Sequence, residues 1–154
     1  MIGYSFDLSK SNTGMAKWLG GNLAQVASVS FQEHHYFGHV LIDFERFIDE
    51  TFVDPSWVAY EEVMVRNKLH GELHFGMVAL LAIACCEMEV PLIGINTMTM
   101  KKQVVGTGRA TKEEMLETIR ARYPEHYITD HDVADAVAVG IMAISMMEVR
   151  NGGE

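Results

Sequence analysis

Four acidic residues, Asp7, Glu61, Asp132 and Asp135, stand inside or at the ends of apolar segments far apart in the chain. Any fold that buries those segments must find a place for their charges, because an isolated carboxylate in an apolar interior is too costly to keep. Asp7 closes the run Ile2-Gly3-Tyr4-Ser5-Phe6, ahead of Ser9, Ser11, Asn12, Thr13 and Gly14, and reads as the last residue of a first strand before a tight turn. Glu61 follows Trp57-Val58-Ala59-Tyr60, with Val63 and Val65 continuing the β-branched pattern. Glu62 takes the other face of that strand, so Glu61 needs a partner, a ligand or solvent. Asp132 and Asp135 belong to Asp130-His131-Asp132-Val133-Ala134-Asp135-Ala136, which opens an apolar helical stretch running to about Met147. Three residues apart, they share one helical face. Each acid also has a plain reading: the aspartates from 130 to 135 suit a helix N-terminus, and Asp7 suits a turn. Taken jointly, they are the pattern of a divalent-metal site.

The remaining segments alternate between strand and helix. Residues 14–20 and 23–31 can supply two strands of a meander, turned at Gly20-Gly21-Asn22. A helix is expected from His39 to Phe52, where Val40, Phe44, Phe47, Ile48 and Phe52 recur at helical spacing, and Pro55 lies just beyond its end. The Glu61 strand follows, then a helix from Gly71 to Met88, a short strand from Pro91 to Ile95, a helix after Thr111 carrying Met115, Leu116 and Ile119, and the Asp130 helix. Antiparallel strands first, then strands alternating with helices, imply an α/β fold with a mixed five-stranded sheet flanked by helices. A chain of 154 residues, 49% hydrophobic, is expected to form one domain over residues 1–150, with a disordered tail at 151–154.

No basic flank and apolar core mark a signal peptide, and the longest uncharged apolar stretch, Phe75 to Cys86, is about half of what a bilayer span requires. A soluble, cytoplasmic protein is expected, with the adjacent Cys85 and Cys86 reduced. The net charge of -9 argues against a nucleic-acid partner, but the charge is divided by segment. Between residues 32 and 62, Glu33, Asp43, Glu45, Asp49, Glu50, Asp54, Glu61 and Glu62 face Arg46 alone. Between residues 96 and 122, Lys101, Lys102, Arg109, Lys112, Arg120 and Arg122 outnumber Glu113, Glu114 and Glu117, so a basic surface remains available.

Phe6-Asp7-Leu8-Ser9 with Asn12-Thr13-Gly14, then Ala59-Tyr60-Glu61-Glu62-Val63, the segment from Lys101 to Lys112, and Asp132-Val133-Ala134-Asp135-Ala136 occur in the order seen in RuvC. The chain resembles a RuvC-type Holliday junction resolvase over nearly its whole length, and phage-encoded members more than the bacterial housekeeping enzyme. The resemblance implies a ribonuclease H-like fold, a homodimer, and a crossover junction endodeoxyribonuclease that hydrolyses phosphodiesters of branched DNA. It also implies two Mg2+ ions per site, with Mn2+ able to substitute, bridged by Asp7 and held further by Glu61 on one side and by Asp132 and Asp135 on the other. Without metal, four clustered carboxylates should be poorly stable at neutral pH.

Lys101 and Lys112 match lysines that lie near the scissile phosphate in the family, with Lys102 and Arg109 as auxiliary phosphate contacts. Gly106-Thr107-Gly108 offers backbone for close approach to phosphate. Where bacterial RuvC has an aromatic residue shortly after the strand glutamate, this chain has Met64, which opens the choice of substrate to forks and flaps. His70 and His74 have zinc-like spacing but lack the glutamate of a metalloprotease motif, and His34 and His35 have no legible role. A structured-RNA nuclease of the same fold and a non-catalytic junction-binding module are the alternatives.

Overall fold

In the computed structural model the described residues are 1–32, 36–63 and 68–151, without the side chains of Leu69, His70, Arg150 and Asn151. Strands β1 (Ile2–Asp7), β2 (Thr13–Leu19) and β3 (Asn22–Val29) form an antiparallel meander. Its second turn falls at Gly20 and Gly21, whose φ values of +57° and +87° suit glycine. Helix α1 (Phe37–Thr51) leads to β4 (Trp57–Glu62), which lies parallel to β1, and helix α2 (Lys68–Glu87) leads to β5 (Leu92–Asn96), parallel to β4. The strand order is β3-β2-β1-β4-β5, the mixed five-stranded sheet expected. Helices α3 (Thr97–Val105), α4 (Lys112–Arg122) and α5 (His131–Asn151) complete the chain, with a single 3-10 turn at Pro124–His126 between the last two.

Period-2 alternation divides the core into two layers. Tyr4, Phe6, Met15 and Val58 point to the face covered by α1 and α2, through Val40, Phe44, Ile48, Met77 and Leu81. The opposite face carries Ala16, Trp18, Trp57, Ala59 and Ile95 and meets α3, α4 and α5. On β1 the residues turned to this second face are Gly3, Ser5 and Asp7, all small or polar, and α5 answers with Ala134, Ala136, Ala138, Gly140 and Ala143. Small residues on both sides let α5 lie close against the middle of the sheet. Ser5 Oγ donates to the Ala136 carbonyl at 2.7 Å and accepts from Trp18 Nε1 at 2.9 Å, a buried polar link between helix and strands.

Among the described α-helices and strands, α3 has no counterpart in the sequence pattern. Thr97-Met98-Thr99-Met100 has little helical periodicity, and the helix is started by Asn96, whose side chain accepts from the amides of Met98 and Thr99, and stopped by Gly106 at φ +100°. Lys101 and Lys102 therefore sit on a helix rather than in an open loop. Val65, Met64, His34 and His35 lie outside the described residues. Of the expected tail, Asn151 closes α5, and the rest lies outside the described residues.

The close seating of α5 predicts a packing effect. A Cβ at Gly140 would stand 2.2 Å from Trp18 Nε1, whereas one at Gly38 would meet nothing within 4 Å. Gly140→Ala is expected to cost about 1–3 kcal/mol in urea melts, and Gly38→Ala to be neutral or mildly stabilising.

Candidate metal centre

Phe6 pairs with Tyr60 in the parallel register of β1 and β4, so the next residues, Asp7 and Glu61, emerge side by side on the face under α5. Asp7 is also the register partner of Gly14 on β2. A Cβ at Gly14 would lie 2.0 Å from the Asp132 carbonyl oxygen, so the first turn of α5 rests directly on the Gly14 backbone and brings Asp135 over Asp7. Ligand oxygens of Asp7, Glu61 and Asp135 lie within 4.8 Å of one another, and all three residues are buried. Hard oxygen donors at this spacing, drawn from rigid elements, fit a hard divalent cation.

Asp132 stands at the edge of this cluster rather than in it. It is half-buried, and its Oδ1 accepts from Lys112 Nζ at 3.2 Å. Lys112 is the first residue of α4, whose start is locked by a capping box in which Thr111 Oγ1 accepts from the Glu114 amide and Glu114 Oε2 from the Thr111 amide. A cation at a helix N-terminus opposes the helix dipole, and Asp132 compensates it. Lys101 Nζ donates to the Ala110 carbonyl at 2.7 Å, which ties α3 to the start of α4 and brings a second cation near Asp135. Lys102, Gly106 and Arg109 are exposed beyond this pair, and Gly108 is half-buried against the Met98 carbonyl.

The electrostatics follow from this crowding. Burial first, then the charges of Glu61, Asp135 and Asp132, hold the Asp7 carboxyl well above its ordinary range, opposed by Lys112. Burial and Glu61 raise Asp135 to about 6, opposed by Lys112 and Lys101. Burial acts to lower Lys112, but its hydrogen bond to Asp132 and the charges of Asp132, Asp135 and Asp7 outweigh it and raise the ammonium above its usual value.

Three features of the neighbourhood escaped the sequence reading. In the sequence Gly14 reads only as part of a turn, and its role in admitting α5 needs the register to be seen. Asp130 accepts from the amides of Asp132 and Val133, as a helix cap should, but also reaches Asn12 on the β1–β2 turn. His74 is buried on the opposite face of the sheet, its ring 6.4 Å from that of Tyr60, and it hydrogen-bonds the Leu8 backbone. Its Nδ1 has no partner among the described residues, and burial lowers its pKa.

No family model matches the chain. It is 33% identical over 97 residues to the crossover junction endodeoxyribonuclease RuvC of Trichlorobacter lovleyi, covering 62% of this chain and 54% of that one. With the same protein of Ruegeria pomeroyi it is 28% identical over 164 residues, 97% of this chain and 98% of that one. The chain thus spans about half the length of the first curated relatives and nearly the whole of the second. Among solved structures, T. thermophilus RuvC in complex with Holliday junction substrate superimposes with a TM-score of 0.70 at 19% identity, covering 97% of this chain and 96% of that one. The fold is the ribonuclease H-like α/β arrangement shared with that structure, and it carries a buried cluster of three carboxylates. Within that class the chain is RuvC-like in both sequence and fold.

The raised carboxyls predict how the metal-free protein responds to pH. Asp135 goes from 3.8 unfolded to about 6 folded, so the folded state binds more protons across that interval. This group's contribution to stability is then fully present below about pH 4 and is lost as pH rises through 6. In urea melts with EDTA, the stability lost by the parent between pH 4 and 7 should exceed that lost by Asp135→Asn by about 2 kcal/mol. Equal losses would remove the burial and crowding assigned to this group.

Proposed function

We propose that this chain, acting as one nuclease domain over residues 1–150, is a metal-dependent endonuclease that cleaves Holliday junctions and related branched DNA in a bacterial cytoplasm. The observation that carries this reading is the buried Asp7, Glu61 and Asp135 cluster with two lysines at its rim. The relatives in sequence are named crossover junction endodeoxyribonucleases, and a neighbour in fold was solved with a Holliday junction.

Two Mg2+ ions, or Mn2+ in their place, held by Asp7, Glu61, Asp132 and Asp135, would supply an activated water and neutralise charge at the scissile phosphate. The chain's own residues do the rest. Asp7 belongs to the central strand and cannot swing away, so it fixes the point to which the phosphate must come. Lys112 stays protonated at neutral pH and is free to exchange Asp132 for a phosphate oxygen. Lys101, buttressed on Ala110, approaches from α3, and Lys102, Arg109 and the backbone at Gly106 and Gly108 extend the cationic surface along the strand.

A four-way junction calls for two opposed sites, and we assign the second to another copy of this chain. The outward face of α2 supports that assignment, because Phe75, Ala79, Ala82, Ile83 and Cys86 are all exposed on a helix whose inner face is already buried. In sedimentation equilibrium the parent should run as a dimer and Ile83→Glu as a monomer. An Ile83→Glu dimer would move the interface elsewhere.

With labelled four-way, three-way and linear duplexes, cleavage should require Mg2+ and favour the branched substrates. Asp7→Asn should abolish it while leaving junction binding within about twofold of the parent, since phosphate contacts, not the acids, carry affinity. Undiminished cleavage by Asp7→Asn would sink the assignment.

A further inference from the structure

The register of the sheet lines up four residues in one row. Glu61 stands beside Asp7, Asp7 is opposite Gly14, and Gly14 is opposite Ser28 on β3. The first turn of α5 crosses this row strand by strand: Asp135 joins Asp7, the Asp132 carbonyl rests on Gly14, and Asp130 meets Ser28. Asp130 is thus the outer anchor of the segment whose inner end carries the ligands.

Both oxygens of the Asp130 carboxylate are occupied, and by different elements. Oδ1 accepts from the amides of Asp132 at 2.8 Å and Val133 at 3.3 Å. Oδ2 accepts from Asn12 Nδ2 at 2.5 Å and lies 3.5 Å from Ser28 Oγ. The same Ser28 hydroxyl donates to Asn12 Oδ1, so both ends of the Asn12 amide are held. The Asn12 backbone in turn donates its N–H to Ser9 Oγ at 3.1 Å and accepts from the same hydroxyl at its carbonyl at 3.0 Å, which fixes the turn between Asp7 and Gly14. A helix cap needs only the Oδ1 contacts. The Oδ2 contacts add nothing to the helix, but they tie its first turn to the strands that carry and flank Asp7.

We propose that Asp130 is a positioning residue: through Asn12 and Ser28 it holds the first turn of α5 across β1, β2 and β3, and so sets the distance of Asp135 and Asp132 from Asp7. The proposal rests on the metal-centre reading. Asp130 contributes no ligand atom to the Asp7, Glu61 and Asp135 cluster, and acts through the backbone that Asp132 and Asp135 share with it. Groups that orient metal ligands without touching the ion typically matter ten- to a hundredfold in affinity.

Two variants separate positioning from capping. Asp130→Ser keeps a good cap but is too short to bridge to Asn12 and Ser28. Asn12→Ala leaves the Asp130 carboxylate, its charge and its cap in place and removes only the bridge. The test is calorimetric titration of the full chain with MnCl2, well below the melting temperature of each variant measured in EDTA. Each single variant should bind Mn2+ about tenfold more weakly than the parent, and the double variant no more weakly than either, because both cut one connection. Parent-like Mn2+ binding by Asn12→Ala would reduce Asp130 to a helix cap and overturn the proposal. So would a double variant that loses the product of the two single effects. A parent that binds no Mn2+ at all would bring down the metal-centre reading and this proposal with it.

Discussion

Mutual repulsion among buried carboxylates is the condition that everything else in this molecule accommodates. At about 5 Å and an effective dielectric of about 20, each pair of unit charges opposes the fold by about 3 kcal/mol. Asp7, Glu61 and Asp135 lie within that range of one another, and all three are buried. Left to long side chains or mobile loops, such a cluster would spread apart. Here the parallel register of β1 and β4 sets Asp7 beside Glu61, and the small residues along β1 and α5 bring Asp135 down onto the same point. The apolar layers on both faces of the sheet supply the cohesion that keeps the acids together.

The cations complete that arrangement. Lys112 could have been placed on any exposed turn of α4, yet it stands at the N-terminus, where the helix dipole disfavours it, because that end abuts Asp132. Lys101 reaches the same neighbourhood from α3, resting on a carbonyl rather than on an acid. Neither lysine joins the three-acid cluster, so the negative potential that would draw a divalent cation is moderated but not cancelled. On the function proposed above, a phosphate approaching the centre would meet positive charge at its rim before the acids that would hold an ion.

Much of this was legible in the chain. Asp7 at the end of β1, Glu61 within β4 and the two aspartates at the start of α5 follow from period-2 and helical patterning, and the strands and major helices fall within a few residues of where apolar spacing puts them. Helix α3 was not legible, because its Thr-Met repeats carry no amphipathic period and its only local signals are the Asn96 cap and Gly106. The division between a tight triad and a peripheral Asp132 was not legible either. Residues 132 and 135 share a helical face, and only the contact of the first turn with Gly14 decides which one reaches Asp7. The bridge from Asp130 to Asn12 joins positions 118 apart in sequence, and no local pattern announces such a contact.

The most direct measurement is anomalous diffraction at the manganese edge from crystals of the chain grown or soaked with MnCl2. The geometry predicts a strong peak bounded by carboxylate oxygens of Asp7, Glu61 and Asp135, at the roughly 2.1–2.2 Å distances expected of hard divalent ions with oxygen ligands. A map with no peak at that point, or with manganese bound only at other surface acids, would contradict the account.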